Sequence, residues 1–170
     1  MNACGLTKTS CSDTAMAMNL ERVWELPADA GHYEKPAPVT DSQLRAFEQR
    51  HGAKLPPTLE ALYRKQNGGF SLLFGFSFWP VEQGTNADMT SLQILVETFH
   101  EDSAQRDRWR NALGPLENAI VFLGDGHFYI VLNYNDAIEG DPVVWQVDDT
   151  TGNSTRMTFD SWITKHTAGA

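Results

Sequence analysis

The sequence has little cysteine, few basic residues and no long apolar run. Its two cysteines, Cys4 and Cys11, both lie in the polar first 19 residues, and their spacing matches no zinc pattern. They cannot cross-link a core to which they do not contribute, so a disulfide-stapled scaffold is excluded and a reducing cytoplasm is the default location. No run approaches the ~20 apolar residues of a membrane span. The N-terminus also lacks the continuous apolar stretch of a secretion signal.

Basic residues are outnumbered by acidic ones. Thirteen Lys and Arg stand against 22 Asp and Glu, which gives a net charge of −9. A surface with this balance is repelled by phosphate backbones and by anionic lipids, so nucleic-acid and membrane-surface partners are disfavoured. A cationic partner would complement the charge, while the competing explanation is solubility alone.

The apolar content is sufficient for one folded domain. Hydrophobic residues make up 41% of the 170 residues and aromatic residues 11%, which supplies large buried side chains. Residues 1–19 are small and polar, and we interpret them as an N-terminal arm. Residues 20–170 are predicted to form a single domain.

Two short helices are predicted in the first half of the chain. Thr40 and Gln43 have the spacing of a capping box, and Gly52 is a natural helix stop. A second helix is expected to begin at the prolines 56–57 and to end at the Asn-Gly-Gly sequence of residues 67–69. Residues 70–80 are rich in aromatic residues and contain a glycine, which indicates one or two strands with a bend.

The rest of the chain predicts an α+β fold with an antiparallel meander and a closing C-terminal helix. A helix is predicted over 103–113, and residues 148–153 are expected to form a turn. A polar loop is expected over 135–141. Residues 82–90 resemble a loop, and 92–100 fit a strand or a helix. The predicted strands of the meander span residues 120–123, 127–133 and 143–147, and the closing helix contains Phe159, Trp162 and Ile163.

No catalytic template is satisfied. The sequence has no glycine-rich phosphate loop and no nucleophile elbow, and both cysteines lie in the arm. The five histidines are too scattered for two of them to share a metal ion by short spacing. We therefore expect a protein that is not an enzyme and that has neither a cofactor nor a metal.

The segment from residue 119 to 149 carries six acidic residues and no Lys or Arg. Three explanations remain open: catalysis or metal binding by a carboxylate pair, ordinary turn formation, and a shared negative surface for a basic partner. The third would make this acidic face the partner-binding site, with Tyr134 as an aromatic contact. The six acids are Asp125, Asp136, Glu139, Asp141, Asp148 and Asp149.

Several motifs together resemble the SUKH superfamily. In the N-terminal half they are Leu44-x-x-Phe47-Glu48, His51-Gly52-Ala53-Lys54-Leu55-Pro56, Tyr63 and Asn67-Gly68-Gly69. The C-terminal half agrees in order, with Phe122-Leu123-Gly124-Asp125-Gly126, Pro142-Val143-Val144-Trp145 and Phe159-Asp160-Ser161-Trp162. The similarity covers about residues 40–165. One departure is Asn133, where relatives often carry Asp.

The resemblance implies a single α+β domain and a protein partner. Members of the superfamily are best known as immunity proteins that bind and neutralise bacterial toxins, many of them nucleases. A fungal branch resembles a regulatory scaffold in cell-wall synthesis. By this resemblance, the protein is expected to be a non-enzymatic, cytoplasmic immunity protein that occludes the active site of a basic toxin. The alternative is a regulatory scaffold or ligand-binding module.

Overall fold

A computed structural model describes residues 20–25, 35–81, 103–125, 127–148 and 152–168. Within these residues, four α-helices and six β-strands form an α+β fold, as predicted. The helices are α1 (Asp41–His51), α2 (Pro57–Tyr63), α3 (Ser103–Leu113) and α4 (Phe159–Thr167), with short 3-10 helices at Leu20–Trp24 and Leu116–Asn118. The strands are β1 (Gly69–Ser71), β2 (Phe76–Phe78), β3 (Ala119–Gly124), β4 (Phe128–Ile138), β5 (Asp141–Asp148) and β6 (Gly152–Thr158).

The six strands form one antiparallel sheet in which every strand pairs with its neighbour in sequence. This confirms the predicted meander and its closing helix. The sheet also contains β6, which the sequence did not predict. Strands β1 and β2 lie at residues 69–78, where the sequence predicted one or two strands with a bend. The predictions for residues 82–90 and 92–100 lie outside the described residues.

The polar loop predicted for residues 135–141 is wrong. Strand β4 continues to Ile138 and β5 begins at Asp141, so only Glu139 and Gly140 form the turn. The two strands extend beyond the hydrophobic core at this point, and both of their faces therefore carry polar residues. Polarity alone made this extended hairpin resemble a loop.

Helix α1 begins and ends as its sequence predicts. The backbone N–H of Gln43 donates to Thr40 Oγ1 at 3.3 Å, and the backbone N–H of Thr40 donates to Gln43 Oε1 at 2.8 Å. These two bonds are the reciprocal pair of a capping box. Gly52 follows the helix with φ of 62°, a left-handed conformation that glycine adopts without a steric penalty.

The Asn-Gly-Gly sequence connects α2 to β1, because α2 itself ends earlier than predicted, at Tyr63. The buried side chain of Asn67 donates to the carbonyl oxygen of Val81 at 2.9 Å and accepts from the N–H of Val81 at 2.8 Å. A Cβ at Gly68 would lie 2.9 Å from the backbone nitrogen of Pro80. Asn67 and Gly68 are therefore needed where the backbone at residues 67–68 approaches the backbone at residues 80–81.

Hydrophobic residues cover both faces of the sheet. One face packs against α1, α2 and α4 through residues such as Phe122 and Ile130, and we call it the α1–α2–α4 face. The other face packs against α3, with Val131 contributing to a cluster that contains Trp109 and Leu113, and we call it the α3 face. The residues of β4 alternate between these two clusters, as successive side chains of a strand do.

Candidate partner-binding site

The structure divides the predicted acidic residues between the two ends of the sheet. Asp148 pairs with Phe128 where β4 begins, and Asp141 pairs with Ile138 where β4 ends. Seven steps along β5 separate the two positions, which is roughly 23 Å at the usual rise of a strand. Asp125 lies at the first end, in the β3–β4 turn, and Asp136 and Glu139 lie at the second. Asp149 is outside the described residues.

We call the second end the hairpin end and define it as residues 134–141. It brings together three of the six predicted acids, Asp136, Glu139 and Asp141. The other described acids, Asp125 and Asp148, belong to the β3–β4 end of the sheet. The sequence-based hypothesis of one continuous acidic face therefore becomes a hypothesis about two separate ends.

Asp125 has a structural role in its turn. Its Oδ1 accepts from the backbone N–H groups of His127 and Phe128, each at 2.9 Å. These two bonds favour the ionised form and hold the pKa of the Asp125 carboxyl below its usual value. This is the turn-forming behaviour that the sequence left open as one of three explanations.

A hydrogen-bond network around one buried amide, that of Asn133, connects the hairpin end to α3. Asn133 is completely buried, and its Nδ2 donates to the carbonyl oxygen of Leu113 at 3.1 Å and to Asp136 Oδ2 at 3.2 Å. Its Oδ1 accepts from the backbone N–H of Asn135 at 3.1 Å. The exposed Asp136 carboxylate is thereby hydrogen-bonded to a buried side chain.

The turn of the hairpin contains a residue in an unfavourable conformation. Glu139 has φ of 53° and Gly140 has φ of 93°, and positive values at both central residues are typical of a type I′ turn. Asn or Gly normally occupies the first position, because other side chains incur a steric penalty there. Among the described residues, Arg156 is the only other non-glycine residue with positive φ, and it lies near the same end.

An open groove of about 360 Å³ lies beside the hairpin on the α3 face. Ile138 is 47% exposed at its edge, although it is a large apolar residue. The indole nitrogen of Trp145 is buried without a hydrogen-bond partner within the described residues. The lining residues are Asp136, Ile138, Val143, Trp145 and Arg156.

The carboxylates of the hairpin end are not engaged in ion pairs within the described part of the chain, although Arg156 lines the same groove as Asp136. Asp136, Glu139 and Asp141 form no ion pair there, whereas other charged residues do. Asp136 and Glu139 are exposed, and Asp141 is half-buried. The hairpin end therefore presents negative charge next to exposed apolar surface.

Tyr134 is placed differently from the other predicted site residues. Its hydroxyl donates to the carbonyl oxygen of Lys54 at 2.6 Å, and its ring packs against the core of the α1–α2–α4 face. Burial raises the pKa of the hydroxyl, and nearby Asp141 contributes to the same shift. These contacts attach the hairpin to the α1–α2 connection.

The sequence-based reasoning did not select four of the groove residues, which are Ile138, Val143, Trp145 and Arg156. The signal that could have found three of them is the Glu-Gly dipeptide at 139–140, flanked on both sides by residues that alternate in polarity. With that turn recognised, the pairing of β4 and β5 places Ile138, Val143 and Trp145 close together. Nothing in the sequence pattern predicts the conformation of Arg156.

Residues 20–25, 35–81, 103–125, 127–148 and 152–168 contain neither a metal-ligand cluster nor a membrane-spanning helix. No group of three His, Cys, Asp or Glu side chains is arranged there to hold a metal ion. No helix in these ranges is both long enough and apolar enough to cross a membrane.

The architecture defines the class of the protein, an α+β domain built on an antiparallel meander and closed by a C-terminal helix. The model of the SMI1 / KNR4 family (SUKH-1) matches residues 38–165, about three quarters of the chain, and the chain belongs to this family. Membership fits an immunity-type or related regulatory function, and the family is generally non-enzymatic and binds other proteins. A comparison with curated proteins finds no match to the chain.

Proposed function

We propose that the protein is a non-enzymatic immunity protein that binds a basic bacterial toxin through the hairpin end and occludes its active site. The observation that supports this most directly is the combination of three carboxylates that form no ion pair in the described residues with an open, partly apolar groove. The family supplies the general type of function.

Charge favours such a partner. The protein carries a net charge of −9, and the hairpin end projects Asp136, Glu139 and Asp141 beyond the core. Nuclease active sites are basic because they hold phosphate, so an acidic hairpin can occupy the same cleft. Complementary charges of this kind mainly raise the association rate. Salt screens them, so this increase becomes much smaller as the salt concentration rises.

The groove supplies contacts that charge alone cannot. Ile138 and Trp145 offer apolar area, and tryptophan is enriched among the residues that dominate binding energy. The side chain of Trp145 forms part of the groove wall, so a partner that covers the groove would contact its ring. Burial of this groove would therefore remove apolar surface from water.

The unfavourable conformation of Glu139 is also consistent with a binding role. A left-handed conformation costs a non-glycine residue about 1–2 kcal/mol, which Gly would avoid. Steric strain of this type is often found at functional sites, where the side chain itself is needed. In this proposal the needed group is the Glu139 carboxylate at the tip of the hairpin.

The test compares charge reversal at the hairpin end with charge reversal at two exposed acids elsewhere, Glu21 and Glu25. Tagged wild-type protein, the double variant E139K/D141K and the matched double variant E21K/E25K are used as baits in extracts of the native cells, over a series of salt concentrations. A basic protein retained by the wild type is then expressed alone to measure its toxicity, and with each bait to measure protection.

We expect E139K/D141K to lose both retention and protection and E21K/E25K to keep them. The retained protein should be toxic alone and should dissociate as salt rises. Equal retention by all three baits at low salt would refute the role of the hairpin end. A non-toxic partner, or several unrelated ones, would instead indicate a regulatory scaffold.

A further inference from the structure

A second groove, of about 320 Å³, lies at the other end of the sheet and on its other face. It is located at the β3–β4 end, on the α1–α2–α4 face, below the turn between β1 and β2. Its walls are mainly aromatic, and the residues that matter here are Phe74, Phe76, Phe128, Trp162, Gln146 and His166.

The aromatic rings are organised as two stacked pairs. The centroids of Phe74 and Trp162 are 5.1 Å apart with an angle of 13° between the ring planes. Those of Phe76 and Phe128 are 5.3 Å apart with an angle of 29°. The rings of both pairs border one open groove, and Phe74, Phe76 and Phe128 are only half-buried, so part of their surface is open to a cation.

The polar groups of the groove are suited to accept hydrogen bonds. His166 Nδ1 lies 2.8 Å from the carbonyl oxygen of Trp162, so in the neutral ring Nδ1 carries the proton and Nε2 is an acceptor. Gln146 offers a second acceptor through its side-chain oxygen. No Lys or Arg is among the described residues that line the groove.

Carboxylates add negative charge at this end. Asp148 pairs directly with Phe128, and directly opposed residues in an antiparallel pair project to the same face of the sheet. Asp148 therefore shares the face of Phe128, two residues beyond Gln146. Asp125 lies in the adjacent turn and is kept ionised by its backbone hydrogen bonds.

We propose that this aromatic groove binds an arginine side chain presented by a protein partner. A guanidinium is planar and stacks on aromatic faces, and its N–H donors match the acceptors of Gln146 and His166. The charge of Asp148 complements it. This inference goes beyond the proposed function, because the groove lies at the opposite end and on the opposite face from the hairpin end.

The test uses short peptides as probes of the groove. Acetyl-Gly-Arg-Gly-amide and the same peptide with citrulline, which has nearly the same shape without the charge, are titrated into the full-length protein at one low salt concentration. Binding is followed through the NMR amide signals, and the signals of Gln146, Asp148 and His166 are expected to shift. We expect the citrulline peptide to bind at least about fivefold more weakly, which is the size of a modest cation–π contribution.

Two variants locate the interaction. F128L removes one aromatic face while keeping an apolar side chain, and D148N removes one charge; each should weaken arginine binding by about threefold to fivefold. E139K/D141K, at the hairpin end, should bind the peptide as the wild type does. A spectrum of each variant without peptide verifies that it is folded.

Equal binding of both peptides would overturn the proposal, and so would signal shifts confined to residues outside the groove. These outcomes leave the proposed function unaffected, because its own test depends on the hairpin end. Conversely, loss of protection by E139K/D141K has no bearing on the arginine peptide.

Discussion

Buried polar side chains replace backbone pairing at several single positions of the fold. Asn67 pairs with both backbone groups of Val81, and the hydroxyl of Tyr63 donates to the carbonyl oxygen of Trp79 at 2.6 Å. Both side chains are buried, and so is Val81, whose backbone groups therefore have no water as an alternative partner. The motifs that identified the family thus include residues whose roles are structural.

Removing the two hydrogen bonds between Asn67 and Val81 should destabilise the protein strongly. The change Asn67→Ala leaves the buried N–H and carbonyl oxygen of Val81 without partners, and we expect a loss of about 2–4 kcal/mol in the free energy of unfolding. The control Tyr63→Phe leaves only the carbonyl oxygen of Trp79 without its donor, and it should lower the free energy of unfolding by about 1 kcal/mol. Urea unfolding of both variants measures the difference, and equal losses would contradict this account.

Asp125 should make a pH-dependent contribution to stability. Its backbone hydrogen bonds lower the pKa in the folded state relative to about 3.9 in the unfolded chain. The ionised group therefore stabilises the fold fully above that value, and the contribution disappears as the pH falls through the folded pKa.

We expect Asp125→Ala to be less stable than the wild type at pH 7 and to approach it in stability at pH 3. The size of this effect is reduced by solvent screening, because the side chain is exposed. Asp125→Asn keeps an acceptor oxygen but cannot ionise, so its own stability should show no contribution from this titration. Thermal unfolding between pH 3 and 7 provides the measurement. A pH-independent difference between Asp125→Ala and the wild type would contradict this interpretation.

At the scale of elements, the β4–β5 hairpin contains a residue, Glu139, at which stability and partner binding can be tested separately. Glu139→Asn places a residue that tolerates positive φ at the first turn position, and we expect it to stabilise the protein by about 1 kcal/mol. The matched change Glu139→Gln keeps the conformational cost and removes only the charge. Its stability should remain close to that of the wild type.

Both changes at Glu139 should weaken partner binding to a similar extent, since both remove the carboxylate. The measurements are urea unfolding for stability and dissociation constants for the partner recovered by the wild-type bait. If Glu139→Asn gains stability and binds as well as the wild type, the carboxylate is not a contact.

The elements also show which features a sequence can predict. The capping box of Thr40 and the stop at Gly52 depend on local interactions, and both were predicted correctly. The extent of β4 depends on pairing with β5 beyond the core, where local polarity resembles a loop. Strand β6 was missed for the same reason, because its sequence is polar almost throughout.

At the scale of the whole molecule, the tertiary structure determines where the acidic residues lie. Their presence in one segment was evident from the sequence, but their division between two ends follows from the lengths and register of β4 and β5. The two grooves could not be predicted from the sequence either. The aromatic groove combines residues from β2, β4, β5 and α4, and only the tertiary fold brings them together.

The meander has a consequence for the speed of folding. Each strand pairs with the strand next to it in sequence, so assembly of the sheet requires few closures of long loops. Topologies dominated by such local pairings fold quickly for their size. A newly synthesised chain can therefore reach its binding-competent form soon after it leaves the ribosome. For a protein with the proposed role, protection would then begin with synthesis rather than after a slow maturation.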